Sequence, residues 1–152
     1  MLLSILTTSA IFLATAFASP LSAIAASSDG KHPLAKRGNG LHMVNCKTYS
    51  VVVYCADDSN CNFYPGPGNQ CIPKDHLNTK GLEVWETNGS CRFDTGVIFS
   101  WNIQSNAQLI PNYGVVGSAT NSFQGFTVRK DDQHVMYTDG HNNPCISIYY
   151  AV

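Results

Sequence analysis

Charged residues are scarce in this sequence, and no stretch of it is strongly basic. Lys, Arg, Asp and Glu make up 12% of the 152 residues, with nine basic side chains against ten acidic ones. Binding to duplex nucleic acid requires a basic face that neutralises phosphates, and a helix that binds a membrane surface is basic and amphipathic. We therefore expect neither nucleic acid nor a membrane surface as a partner.

Helical periodicity and the motifs of common secreted hydrolases are also missing. No long segment after residue 38 repeats apolar residues with the period of a helix. The chain contains no G-x-S-x-G nucleophile elbow, no H-E-x-x-H zinc motif and no C-x-x-C pair. These absences favour a protein without enzymatic activity, and we expect no cofactor and no metal ion.

The amino-terminal segment is an apolar run that is too short to span a bilayer. Residues 2–17 contain no charged side chain, whereas a transmembrane helix needs about 20 apolar residues. Such a run followed by small residues is typical of a secretory signal peptide. We expect a signal peptide over residues 1–18, with cleavage as late as residue 25 left open, and no membrane span after its removal.

A polar segment ending in a basic pair separates that run from the first cysteine. The pair is Lys36-Arg37, and Gly38 follows it. This composition is typical of a flexible pro-peptide, and the Lys-Arg ending resembles the sites cut by kexin-type processing proteases. We expect a pro-peptide over residues 19–37 and a single secreted, extracellular domain over residues 38–152.

All six cysteines lie in that expected domain. An even number in a secreted chain predicts disulfide bonds, and the irregular spacing argues against a zinc site. The sequence leaves the pairing open, but the last cysteine must bond far back along the chain, which would contribute on the order of 3–5 kcal/mol. The expected disulfide residues are Cys46, Cys55, Cys61, Cys71, Cys91 and Cys145.

Short alternating segments bounded by turn residues predict strands. The predicted strands cover residues 51–54, 82–86, 97–103, 126–128, 134–138 and 146–151. Asn88-Gly89 predicts a hairpin turn, and Pro and Gly at 65–68 predict a rigid loop. The fold expected from these elements is all-β, a small β-sandwich or barrel stapled by disulfides, with one short helix around residues 74–80. The residues expected in its core are Trp85, Phe99, Trp101 and Phe126.

Two clusters offer metal-ligating or acid-base chemistry without a recognised spacing. His134 and His141 flank a predicted hairpin that contains Asp139, and they could share a metal or act as an acid and base pair. The acidic segment 57–60 could bind calcium. Because the histidines after residue 38 all lie beside polar or turn residues, we expect them, including His42, at the surface.

One short segment resembles part of an enzyme family. The run from Asn121 to Phe126, N-S-F-Q-G-F, resembles the N-N-Y-E-G-F segment of the small secreted guanyl-specific ribonucleases of fungi. The resemblance implies a small ribonuclease-like enzyme as an alternative function, with Arg129 and His141 in the last two catalytic roles. That family also needs a preceding Tyr-x-His and a following glutamate base, and this sequence has neither.

A lectin-like module that binds a glycan or the cell wall is a second alternative. Tyr, Trp and Asn on loops commonly stack against sugar rings and bond sugar hydroxyls through amides. The loop 104–113 and the pair Asn142-Asn143 contain these residue types.

The layout as a whole resembles the small secreted cysteine-rich proteins of fungi, a group that includes candidate effectors and killer-toxin-like proteins. The resemblance implies a monomeric, non-enzymatic interaction protein that binds an extracellular protein or glycan through exposed loops. The sequon Asn88-Gly89-Ser90 predicts a glycosylation site at an exposed hairpin tip. The candidate contact residues are Pro65, Gly66, Pro67, Gln104, Asn106, Asn112 and Tyr113.

Overall fold

The structure, a computed structural model, describes residues 38–73 and 81–152. The expected signal peptide, the pro-peptide with Lys36-Arg37 and the short helix around 74–80 lie outside the described residues. Within those residues, no helix is long and apolar enough to cross a membrane. The described chain is nearly all β, and its 3-10 turns include Asp58–Asn60 and Ala107–Leu109. The expected all-β class is therefore confirmed.

Nine antiparallel strands of the described chain form one sheet that curls into a nearly closed barrel. Their spatial order is β3-β2-β1-β9-β7-β6-β5-β4, and β8 pairs with β9 beside this path. The strands are β1 (Gly40–Asn45), β2 (Ser50–Cys55), β3 (Gln70–Cys71), β4 (Asn88–Arg92), β5 (Ile98–Ile103), β6 (Val115–Thr120), β7 (Gly125–Lys130), β8 (Val135–Thr138) and β9 (Pro144–Ala151).

A disulfide closes the barrel where the sheet ends. β3 and β4 are the two outer strands of the order, and Cys71 in β3 is bonded to Cys91 in β4 with their Cα atoms 5.7 Å apart. This separation is close to that of directly paired residues in neighbouring strands. The disulfide therefore joins β3 to β4, whereas hydrogen-bonded ladders join the other neighbouring strands. We call this junction of β3 and β4 the seam.

The barrel interior is filled by the inward side chains of alternating positions. Trp85 and Trp101 pack edge to face with ring centroids 5.2 Å apart, and Phe99 packs against Phe126 at 6.2 Å. All four side chains are buried, as expected. The Trp85 indole N–H donates to the Asn45 side chain at 2.8 Å, which fixes the ring at one end of the core.

A second apolar cluster covers the outer face of β1, β2 and β9. It includes Val44, Val51 and Met136, and β8 lies over it. The Cys46–Cys145 and Cys55–Cys61 disulfides belong to this cluster, so with the seam bond all six cysteines are paired. Because both faces of β1 are covered, five of its six residues are buried.

Two sequence predictions about the segment before β5 are wrong. Residues 82–86 form no strand. Trp85 is buried and Val84 is 64% exposed, so buried and exposed side chains alternate as predicted, but the backbone does not pair with a neighbouring strand. Asn88 and Gly89 begin β4 and do not form the hairpin turn, which lies farther on, at Gly96 (φ 89°). Gly89 is required because the Trp101 ring packs directly on its backbone.

The other predicted strands are present, but the predicted set of strands is incomplete. β2, β5, β7, β8 and β9 coincide with predicted strands, whereas β1, β3, β4 and β6 were not predicted. Asn88 is exposed, as expected, but it lies on a strand and not at a hairpin tip. Its glycosylation stays a prediction.

The seam disulfide should contribute strongly to stability. Cys71 and Cys91 are 20 residues apart in sequence, so replacing both with Ala should lower the free energy of unfolding by about 3 kcal/mol. The matched control is the Cys55→Ala, Cys61→Ala pair, which opens a loop of only six residues and should cost about 2 kcal/mol. Urea unfolding measures both, and a seam variant no less stable than this control would contradict the assigned role.

Candidate functional site

A cavity of about 230 Å³ opens at one end of the barrel, beside the start of β1 and the β6–β7 turn. We call this end the cavity end. Several distant stretches of the chain contribute to the lining, and they meet only because the barrel brings its turns together. The lining residues are Asn39, Leu41, Tyr54, Gly68, Asn69, Phe93, Thr95, Val97 and Asn121.

Two glycines shape the rim of the cavity. Gly68 and Gly96 have φ values of 84° and 89°, in the left-handed region that residues with a side chain seldom adopt. They turn the chain next to Asn69 and Thr95, whose side chains belong to the lining. The Asn69 carbonyl also accepts the Tyr54 N–H at 2.8 Å, which holds this loop on β2.

A shallower groove of about 720 Å³ lies against the seam. Between residues 92 and 97, the even-numbered residues line the groove and the odd-numbered ones line the cavity, with Phe93 lining both. The turn that joins β4 to β5 is therefore the wall between the two concavities. The groove is lined by Tyr49, Tyr64, Gln70, Cys71, Ile72, Arg92, Phe93, Asp94 and Gly96.

The β6–β7 turn presents an exposed aromatic ring at the cavity end. Phe123 is 82% exposed. The Asn121 Oδ1 atom accepts the N–H groups of Phe123 and Gln124, both at 3.0 Å, and the Thr120 hydroxyl donates to the Gln124 carbonyl. These bonds fix the turn, so the ring is displayed on a rigid support.

A buried histidine lies between two carboxylates on the outer face of β1. His42 Nε2 lies 2.8 Å from Asp58 Oδ1, and its Nδ1 lies 3.0 Å from the Ser147 hydroxyl. Ser147 donates to Asp131 Oδ2 at 2.6 Å, so its oxygen accepts from His42. Both ring nitrogens are then donors, which is the hydrogen-bonding pattern of the imidazolium. The expected surface position of His42 is wrong, because β1 is covered on both faces.

The electrostatics of this cluster favour the ion pair. Burial lowers the pKa of His42, but bonds to Asp131 and Asp58 outweigh burial and raise it above 6.5. Burial raises the pKa of Asp131, but bonds to His42 and Ser147 bring it below 3.8. Ser147 is fully buried and its proton is committed to Asp131, so it is not placed to attack a substrate. The cluster stabilises the fold.

Two groups of described side chains have atoms close enough to ligate a metal. One contains His42 and the Cys55–Cys61 disulfide, whose sulfurs are bonded to each other and are not thiolates. The other contains Asp131, Asp132 and His134, with ligand atoms within 4.8 Å of one another. In that group His134 Nδ1 lies 2.6 Å from Asp132 Oδ1, so the residues already satisfy each other.

The metal-ligating clusters suggested by the sequence do not assemble. His134 pairs with Asp132, whereas Asp139 accepts the backbone N–H of His141 at 2.9 Å, so the two histidines have different partners. In the acidic segment 57–60, Asp57 caps a 3-10 turn by accepting the N–H of Ser59.

The first candidate contact loop contributes to the cavity through its far end. Pro65 is buried, Gly66 is half-buried and Pro67 is exposed, and none of the three lines either concavity. The next two residues, Gly68 and Asn69, line the cavity. The predicted loop therefore reaches the cavity through Gly68 and Asn69, and its contact with a partner stays a prediction.

The second candidate loop, 104–113, lies outside both concavities. Gln104, Asn106 and Asn112 are exposed. Tyr113 donates its hydroxyl to Asp132 at 2.8 Å, and this bond raises the pKa of Tyr113 to about 12. Tyr113 is therefore committed to a structural bond.

The residues of the ribonuclease-like resemblance lie on separate elements. Arg129 in β7 donates to the Tyr113 carbonyl at 2.9 Å, and His141 lies in the turn between β8 and β9. The segment starting at Asn121 is the β6–β7 turn itself.

Asn143, part of the suggested glycan-contacting pair, donates its amide to Asp139.

Comparison with known proteins returned no matching family model, no matching curated protein and no matching solved structure.

Sequence reasoning missed most of the cavity and its exposed aromatic. Asn39, Thr95 and Asn121 are ordinary loop residues, and nothing local predicts that their three segments converge. Phe123 did carry a signal, because a large apolar side chain between turn-forming residues has no core to enter.

The buried ion pairs predict a stability maximum in mildly acidic solution. Because the pKa of His42 is raised by folding, its contribution is complete below about pH 6.5 and is lost as the pH rises through the folded-state value. The pKa of Asp131 is lowered, so its contribution is present above about pH 4 and is lost on further acidification. Urea unfolding across this range should show the maximum between these limits.

His42→Gln should remove the decline on the alkaline side, whereas His141→Gln at an exposed turn should leave that decline in place. Stability that rises from about pH 6 to about pH 8 would contradict this assignment.

Proposed function

We propose that this chain is a secreted, non-enzymatic interaction protein of the effector- or toxin-like kind, and that it binds an extracellular target with the cavity end of its barrel. The observation that carries the proposal is the exposed Phe123 ring on a turn fixed by side-chain bonds. Aromatic rings dominate the binding energy of many interfaces, and a preorganised support reduces the entropy lost on binding.

The surroundings of Phe123 support a binding face. The cavity begins two residues away at Asn121, and the groove on the other side of the wall contains the half-exposed Tyr64 ring. Deep and shallow concavities beside exposed aromatic rings can accommodate a partner without rearrangement of the barrel.

The buried histidine cluster supports a non-enzymatic role. It is the arrangement in the described chain most similar to a catalytic Ser-His-Asp set, yet its serine is fully buried and hydrogen-bonded to Asp131. Its charges are used to hold β1, β9 and the segment after β2 together.

Cell walls are a suitable first probe because they carry both protein and glycan targets. We expect the secreted protein to be retained on plant or fungal wall preparations and Phe123→Ser to reduce its affinity about tenfold or more, as loss of an aromatic anchor does. The control is Leu109→Ser, because Leu109 is 85% exposed but lies in the loop 104–113. Sedimentation with the walls measures the bound fraction.

Equal loss in both variants, or no retention of the wild type, would contradict the proposed binding face. Pre-treatment of the walls with protease distinguishes the target classes, since a protein target is lost and a glycan target remains.

Processing at the basic pair is a separate prediction. Protein recovered from culture medium should begin at Gly38 and should gain about six mass units on reduction of its three disulfides. Intact mass before and after reduction measures both. A secreted chain that retains residues 27–37 would contradict cleavage after Arg37.

A further inference from the structure

The cavity lining contains no charged side chain among the residues that the structure describes. Its polar groups are the amides of Asn39, Asn69 and Asn121 and the hydroxyls of Tyr54 and Thr95. An ionic ligand would lose its hydration without gaining a counter-charge in such a site. Arg92 and Asp94, which could supply charge, line the groove on the opposite side of the wall.

Amide and hydroxyl groups at the rim favour a ligand that both donates and accepts hydrogen bonds. The Asn121 oxygen already accepts two backbone N–H groups and the Asn39 oxygen accepts from the Gln124 amide. Each Asn side chain also has two donor hydrogens, and each hydroxyl has one donor and two acceptor positions. A purely apolar ligand would bury these groups without partners, which is unfavourable. A polyhydroxylated ligand satisfies them.

The lower part of the cavity is apolar. Leu41 and Phe93 belong to the barrel core, and the half-buried Tyr54 and Val97 lie around them. A sugar ring has an apolar face of C–H groups and an edge of hydroxyl groups, so it matches an apolar floor below a rim of amides. Aromatic and aliphatic floors with a few placed polar groups are usual in ligand sites.

The cavity volume limits the ligand to a small group. At about 230 Å³, the cavity lies below the range of roughly 300–1,000 Å³ that is typical of sites for drug-sized ligands. We propose that the cavity binds a single neutral sugar residue, presented at the end of a glycan chain. This inference rests on the proposed function, because it names the ligand class for the same end of the barrel.

Titration with neutral oligosaccharides tests the inference directly. The probes are the disaccharides and hexasaccharides of chitin, cellulose and β-1,3-glucan, added to the isotopically labelled secreted protein, with amide chemical shifts as the readout. At least one series should shift the amides of Leu41, Phe93 and Thr95. Because one residue fills the cavity, disaccharide and hexasaccharide should bind within about threefold of each other, and affinity should not change with salt.

Near-isosteric substitutions separate the hydrogen bonds from the shape of the site. Thr95→Val and Asn69→Leu remove polar groups at the rim, and each should weaken saccharide binding about three- to tenfold, the usual effect of losing one hydrogen bond. The matched controls are Thr127→Val and Asn102→Leu, which alter exposed residues outside the cavity, and they should bind like the wild type.

The outcomes distinguish this inference from the proposed function. Wall retention that depends on Phe123, combined with no saccharide-induced shift at the cavity, overturns the inference and leaves the proposed function standing. Absence of both wall retention and saccharide binding overturns both. Tighter binding of an acidic oligosaccharide, such as oligogalacturonate, also overturns the inference, because the lining offers no counter-charge.

Discussion

Closure of the sheet at the seam is the constraint on which the rest of the molecule depends. β3 contains only Gln70 and Cys71, which is too short to form a long ladder with β4, and the Cys71–Cys91 bond joins the two strands instead. With the ends joined, the inward side chains of every strand except β8 converge on one core around Trp85, Phe99 and Trp101. The cavity is the open end of that core, and the groove follows the line of closure.

The outer face of the barrel is organised differently from its interior. β1 lies between the barrel core and a second cluster, so its polar residues must find partners inside the protein. His42 does so through Asp58, Ser147 and Asp131, which tie β1 to the segment after β2 and to β9. Two disulfides lie in the same layer. Ionic and covalent bonds thus reinforce a side of the barrel that has only a small apolar cover.

Strands with a β-branched run or a clear apolar alternation were predictable from the sequence, and the other strands were not. β5 alternates cleanly, with Phe99, Trp101 and Ile103 inward. β1 lacks alternation because both of its faces are covered, and β3 is too short to leave a pattern. The local pattern at Gly89 predicts a turn. Its actual role, contact with the Trp101 ring, depends on a distant strand and is not visible in that pattern. The cavity depends on closure of the barrel, which no local pattern encodes.

The cavity rim is discontinuous in the chain, since Asn39 comes from the segment before β1, and Asn69, Thr95 and Asn121 come from three separate loops. No linear peptide cut from this sequence reproduces it, so an antibody raised against the rim would recognise the folded protein and not its fragments. The same arrangement lets one of the three loops change in length or composition while the other two, and the barrel beneath them, keep their positions. Ligand preference can therefore diverge turn by turn without loss of the scaffold.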